Sequence, residues 1–195
     1  MFSRTSILAL SLLALAACSG AGTANVPAAG RSVAGNTSSS AQCFTGGGST
    51  CSVDRSTGTF TFTMVSGSYA GAYLNSSHKI IGQTVSQLTL LSFDLQGPGY
   101  NGGAQYVSVQ TSGGTFFVYP ASCTSVNAGS GPLVNVTNAV TQSGICFAVN
   151  GATYVNSWSQ VLAVYGNDTI TAIPDFVVDI GSTSGQWTLS NTAIQ

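Results

Sequence analysis

Few side chains in this sequence could carry out acid–base or nucleophilic chemistry. The chain has one histidine and five acidic residues, and all five are aspartates. Asp175 and Asp179 are four residues apart, so on an extended strand they would share a face at about 13 Å. The paired carboxylates of glycoside hydrolases need separations of about 5 to 9.5 Å. His78 lies in a polar stretch and no G-x-S-x-G motif is present, so we expect no catalytic residue. A triad of a serine, His78 and a distant aspartate is the alternative, which would make the protein a secreted hydrolase.

Two aspartates lie in turn sequences that suit a hard cation. Asp168 belongs to the stretch 166–169 and Asp179 to the stretch 179–182, and calcium takes carboxylate and carbonyl oxygens of the kind that such turns offer. Neither stretch has the EF-hand spacing, and aspartate also stabilises turns without an ion. We therefore expect no cofactor, with a structural calcium ion at Asp168 or Asp179 as the alternative.

Aromatic and amide side chains are the better candidates for binding a ligand. Sugars dock on aromatic faces while amides and hydroxyls supply hydrogen bonds. The candidate ligand-binding residues are Tyr100, Asn101, Tyr119 and Trp158. Tyr100 lies in a glycine-rich loop, which predicts an exposed ring, whereas Trp158 also fits a core position. Arg55 and Lys79 are too few to follow a phosphate backbone, so we expect no nucleic-acid partner.

The cysteines indicate export. The chain has five, and setting Cys18 aside leaves Cys43, Cys51, Cys123 and Cys146. An even number of cysteines in an exported protein most simply forms disulfides. Of the three possible connectivities we favour Cys43 with Cys51 and Cys123 with Cys146, because each pair is close in sequence. A zinc site is the competing interpretation, but no C-x-x-C spacing supports it.

These residues must be positioned by strands rather than by helices. Only 5 % of the residues are charged, against about 25 % in ordinary domains, so the surface must consist of serine, threonine and asparagine. Short apolar or alternating runs recur between turn residues, which is typical of a sandwich or barrel. The predicted strands cover residues 59–65, 69–74, 85–95, 104–110, 115–119, 145–149, 157–165, 170–179 and 186–194. We expect little helix beyond a turn near residues 86–88.

The sequence of the N-terminus predicts an export signal followed by a flexible linker. Residues 1–17 combine Arg4 with an apolar run that is too short to span a bilayer. The sequence LAAC at residues 15–18 closely resembles the lipobox of bacterial lipoproteins, which implies a lipid on Cys18 and a place in the cell envelope. Cleavage by an ordinary signal peptidase is the alternative. Residues 18–42 are small and polar, which predicts a flexible linker, and residues 43–195 would form one domain.

The order of motifs along the domain resembles uncharacterised secreted β-sandwich proteins of bacteria. More distantly, it is similar to jelly-roll galactose-binding-like and carbohydrate-binding modules. The resemblance rests on LSFD at 91–94, the loop at 99–103, FVVDIG at 176–181 and WTLSN at 187–191. It implies a single all-β antiparallel sandwich of jelly-roll type and non-catalytic binding of a glycan or other envelope polymer. We expect the protein to be a monomer. A structural envelope protein without a small ligand is the alternative. Ser190 stands where such sandwiches often carry a carboxylate, which weakens any ligand role of the last strand.

Overall fold

A computed structural model describes residues 32–33, 43–74, 77–101, 105–179, 182 and 184–195. These residues form fourteen strands: β1 (Ser32–Val33), β2 (Cys43–Gly46), β3 (Thr50–Asp54), β4 (Thr59–Met64), β5 (Tyr69–Tyr73), β6 (Leu91–Gln96), β7 (Tyr100–Asn101), β8 (Gln105–Thr111), β9 (Gly114–Tyr119), β10 (Ser130–Gly131), β11 (Cys146–Val149), β12 (Thr153–Val155), β13 (Asp175–Val178) and β14 (Gly185–Ile194). The predicted export signal, Cys18 and most of the predicted linker lie outside the described residues.

Twelve of the described strands form two antiparallel sheets. The larger sheet has the order β1-β2-β5-β13-β8-β9-β11-β12, and the smaller has the order β3-β4-β14-β6. β7 and β10 form a separate two-stranded ribbon. As far as the described residues show, neither sheet is closed into a barrel, and the predicted all-β fold of antiparallel sheets is confirmed.

Alternating side chains of the two sheets build a shared core. In β4, Phe60, Phe62 and Met64 are buried while the threonines between them are less so, as the period of two along a strand requires. The ring centroid of Phe176 on β13 lies 6.3 Å from that of Phe62 and 5.5 Å from that of Phe93 on β6. The two sheets therefore pack face to face through aromatic rings.

The two disulfides have the connectivity that the sequence favoured. Cys43–Cys51 joins β2 of the large sheet to β3 of the small sheet, with their Cα atoms 6.2 Å apart. Cys123–Cys146 joins the start of a helix to β11, with Cα atoms 4.7 Å apart. One disulfide therefore links the two sheets, and the other fastens the connection between β9 and β11.

In the described part of the chain, two α-helices interrupt the strands. Helix α1 (Cys123–Ala128) begins at Ser122, whose Oγ accepts a hydrogen bond from the Ser125 N–H, and helix α2 covers Trp158–Tyr165. The predicted strand over residues 157–165 is therefore wrong. Its buried residues Trp158, Val161 and Tyr165 follow a spacing of three and four, which is helical. No helix in the described part of the chain is long and apolar enough to cross a bilayer.

The other predicted strands agree with the structure apart from their bounds. The run at 85–95 divides into a 3-10 turn, Val85–Gln87, and strand β6, as its changing periodicity predicted. The run at 170–179 contributes only β13, which covers Asp175–Val178. Within the predicted linker, Ser32 and Val33 pair with Thr45 and Phe44 of β2, so this part of the linker adds a short strand to the large sheet.

Candidate functional site

The outer face of the large sheet, which points away from the small sheet, carries aromatic and polar side chains. In β13, Phe176 and Val178 belong to the core between the sheets, so Asp175 and Val177 point outward. Strand register continues this face into a cross-strand row formed by Tyr73, Asp175, Ser108, Phe117, Ala148 and Tyr154. Asp175 and Ser108 are buried in the middle of the row, while Tyr73 and Phe117 are half-buried.

Four tyrosines meet at one end of this face, and we call them the tyrosine cluster: Tyr100, Tyr106, Tyr119 and Tyr154. Tyr119 is central, because its ring centroid lies 6.3 Å from that of Tyr100, 6.1 Å from that of Tyr106 and 6.0 Å from that of Tyr154. All three pairs have edge-to-face geometry, which aromatic quadrupoles favour. The predicted site residues Tyr100 and Tyr119 are therefore brought together, although they are far apart in sequence.

The segment between β9 and β11, residues 120–145, covers the cluster, and we call it the cover. Ala121, Val126 of α1 and Cys146 pack in the same apolar cluster as Tyr100 and Tyr119. β10 pairs with β7, which places Gly131 opposite Tyr100. Because Cys123–Cys146 fastens α1 to the sheet, the disulfide also holds this cover over the tyrosine rings.

Tyr100 is buried and not exposed as its glycine-rich loop predicted. Its side chain is 2 % exposed, and its hydroxyl is buried with no hydrogen-bond partner among the described residues. Burial raises the pKa of this phenol, and the neighbouring phenols of Tyr119 and Tyr154 raise it further. The hydroxyl therefore stays protonated and able to donate a hydrogen bond well above neutral pH.

Tyr106 and Tyr119 are also buried and protonated. Burial raises the pKa of both phenols, with an additional contribution from the Asp179 carboxylate at Tyr106 and from the Tyr154 phenol at Tyr119. The Tyr106 hydroxyl donates a hydrogen bond to Asp179 Oδ2 over 3.3 Å. Asp179, which the sequence offered as a metal ligand, thus serves as an acceptor in the cluster.

Tyr154 connects the cluster to solvent. Its side chain is 37 % exposed, more than that of any other aromatic residue in the described part of the chain. It lies on β12, the outermost strand on this side of the sheet. Tyr154 was among the aromatic residues available for sugar binding but not among the four candidate site residues, because its contact with Tyr119 depends on the strand order.

Asn101 ties the cluster to the adjacent strand through its backbone. The Asn101 N–H donates to Gln105 Oε1 over 3.1 Å, and Gln105 Nε2 donates to Ser182 Oγ over 2.7 Å. Gln105 is fully buried, so these two hydrogen bonds hold β7, and with it Tyr100, against the start of β8.

Trp158 lies apart from the cluster. Its ring centroid lies 5.8 Å from that of Phe116 and 5.9 Å from that of Phe147, and it belongs to the core between the sheets. Of the two interpretations offered by the sequence, the core position is confirmed.

The described residues do not assemble a recognisable metal centre. Nowhere among them do three histidine, cysteine or acidic side chains cluster as metal ligands. Asp168 lies after α2, where its carbonyl accepts the Val85 N–H over 3.0 Å. Calcium at Asp168 or Asp179 stays a prediction. The side chain of His78 is outside the described part of the chain, so the alternative triad is untested as well.

A cavity of about 260 Å³ lies elsewhere, lined by Lys79, Ile80, Gln83, Ile194 and Gln195. None of the clustered tyrosines lines it, and it combines two isoleucines with a single cationic side chain. The tyrosine cluster is the stronger candidate, because it joins an exposed ring to a buried donor that has no partner among the described residues.

Comparison with known proteins places the chain in no established group. No family model matches it, and no match was found among curated proteins or solved structures. The resemblance to bacterial secreted sandwiches therefore stays a prediction.

Proposed function

We propose that this protein is a surface-anchored lipoprotein whose non-catalytic sandwich binds an uncharged glycan at the tyrosine cluster. The observation that carries the proposal is the Tyr100 hydroxyl, which is buried with no partner among the described residues, in a cluster that opens at the exposed Tyr154 ring. A buried donor without an acceptor costs free energy, and a sugar hydroxyl would supply the acceptor when the segment between β9 and β11 moves away from the Tyr100 ring.

The chemistry of the cluster suits a neutral sugar. The Tyr154 ring offers an apolar face for stacking, and the phenols beneath it are hydrogen-bond donors that stay uncharged. Of the described cationic side chains, Arg55 follows β3 and Lys79 lies in the 3-10 turn Ser77–Ile80. Neither belongs to the cluster, so nothing in its described part favours an anionic polymer.

The anchor is proposed from the sequence of residues 15–18. Acyl chains on Cys18 would hold the protein at a membrane without a spanning helix. The intact mass of the exported protein tests this claim, because a mature chain that starts at an unmodified Cys18 would contradict it.

Glycan binding is tested with the mature protein on a glycan array, followed by calorimetry with any sugar that binds. We expect Tyr154→Ala to remove the stacking face and Tyr100→Phe to remove the donor, so each weakens binding at least tenfold. Thr63→Ala, on the exposed face of β4, is the matched control and should bind as wild type. Wild-type protein that binds no glycan refutes the ligand class, and equal binding by all variants refutes the site.

A structural envelope component is the second candidate, and the burial of three of the four clustered phenols favours it. In that case the cluster only packs the cover against the sheet. Wild-type protein would then bind no glycan, and loss of the protein from its cells would weaken their resistance to detergent.

A further inference from the structure

The tyrosine cluster forms a continuous chain of ring contacts with one exposed end. Tyr106 and Tyr100 each contact Tyr119, which contacts Tyr154, and the centroid distances are 6.1, 6.3 and 6.0 Å. Tyr154 is 37 % exposed, while Tyr100, Tyr106 and Tyr119 are 2 %, 7 % and 7 % exposed. Electrons can pass between rings at such contacts, whereas reagents in solution reach only the outer end.

Oxidation of a phenol by one electron requires its proton to leave. Burial opposes proton loss at the three inner phenols, as their raised pKa values show. Tyr154 is the member of the cluster that solvent reaches. A radical that arises anywhere in the cluster is therefore expected to settle at Tyr154.

The remaining tyrosines are less suited to this chemistry. Tyr165 is 3 % exposed, and its hydroxyl accepts from the Asn150 N–H and donates to the Thr115 carbonyl over 3.0 and 3.2 Å. Tyr69 and Tyr73 are half-buried and lie on β5, which has β2 and β13 on its two sides. β12, by contrast, is the outermost strand, so a second copy of the chain can approach Tyr154 from the side.

We propose that Tyr154 is a site of oxidative cross-linking between two copies of this chain, with hydrogen peroxide and a haem peroxidase as the class of oxidant. Each of two Tyr154 phenols loses one electron and one proton. The two phenoxyl radicals then join through ring carbons and tautomerise to a dityrosine. One peroxide accepts the two electrons and two protons and becomes two waters. Glycan binding is not required, so the proposal stands apart from the proposed function.

The experiment treats the mature protein with hydrogen peroxide and horseradish peroxidase. Covalent dimer is measured on a reducing denaturing gel, dityrosine by its fluorescence, and the joined peptides by mass spectrometry. Tyr154→Phe keeps the ring and removes only the phenol, and Tyr73→Phe makes the same change at the opposite end of the cross-strand row. Free tyrosine in a parallel reaction confirms that the oxidant is active.

We expect wild type and Tyr73→Phe to form the dimer equally, joined at Tyr154, and Tyr154→Phe to form at least tenfold less. Unfolding midpoints of the three proteins should agree, which separates loss of the reactive phenol from loss of structure. Undiminished dimer in Tyr154→Phe, peptides joined at Tyr69 or Tyr73, or active oxidant with no wild-type dimer would each overturn the proposal.

Discussion

Replacing Tyr100 by phenylalanine should stabilise the protein. The Tyr100 hydroxyl is buried with no partner in the described part of the chain, and an unsatisfied buried hydroxyl costs about 1–3 kcal/mol in protein mutational data. Removing the oxygen eliminates that cost and leaves the ring contact with Tyr119 in place. We therefore expect the free energy of unfolding to rise by about 1–2 kcal/mol. In a domain of this size the midpoint of thermal unfolding would rise by about 2–4 °C for each kcal/mol.

Tyr106→Phe is the matched control, because it makes the same change within the same cluster. The Tyr106 hydroxyl donates to the buried Asp179 carboxylate, and a hydrogen bond to a charged group contributes about 1.5–3 kcal/mol. This variant should therefore lower the free energy of unfolding. The two identical substitutions have opposite expected signs only because one hydroxyl has a partner and the other does not.

Urea unfolding of the mature protein with both disulfides intact measures the two changes. The dependence of the free energy on urea concentration should be equal in all three proteins, which shows that the same surface is exposed on unfolding. A Tyr100→Phe variant that is equally stable or less stable than wild type would refute the reasoning, since it would mean that the Tyr100 hydroxyl has an acceptor.

Other perturbations of the sandwich have equally definite expected outcomes. Replacing Cys123 and Cys146 by serine should lower the free energy of unfolding by about 3.5 kcal/mol, and replacing Cys43 and Cys51 should lower it by about 2.5 kcal/mol. The difference arises because a longer closed loop restricts the unfolded chain more. Urea unfolding measures both changes, and the reverse order would contradict the loop-entropy explanation. Gly71→Ala should lower the free energy of unfolding by about 1–3 kcal/mol, since the added methyl group would overlap the Phe176 carbonyl and the Phe44 ring. An unchanged unfolding midpoint would show that the large sheet can shift at Gly71 to accommodate the methyl group. Above about pH 10 the unfolded chain releases phenol protons that folded Tyr100, Tyr106 and Tyr119 retain, so stability should fall as the pH rises. Ultraviolet titration of tyrosinate should show these three phenols ionising only on unfolding, and their ionisation near pH 10 in the folded protein would contradict their burial.

The features that sequence patterns predicted are those that depend on neighbours in the chain. Phe60, Phe62 and Met64 alternate with threonines and form β4, and the disulfides join the cysteines that lie near each other in sequence. Helix α2 was missed although its apolar residues have helical spacing. Without glutamate or lysine on its exposed side, it lacks the charged residues that usually mark a surface helix.

The candidate site depended on contacts that local patterns do not encode. Tyr100 follows Gly99 in a turn-like loop, which predicted exposure, but its partner Gly131 lies 31 residues later in the sequence. The contact of Tyr119 with Tyr154 likewise requires β9, β11 and β12 to be neighbours in one sheet. Residue types indicated aromatic binding chemistry, whereas the strand order decided which rings meet.

The Cys43–Cys51 disulfide has a mechanical consequence. A pull on the preceding chain first meets β1, which is paired to β2 only at Ser32 and Val33, and then reaches Cys43, the first residue of β2. Without the disulfide, the pull would peel β2 from β5 by breaking their hydrogen bonds one after another, beginning at the pair Cys43 and Ala72. The covalent link passes the load directly to β3 of the other sheet. Both sheets must then unfold together, so the disulfide makes the domain more resistant to tension that is applied at β2.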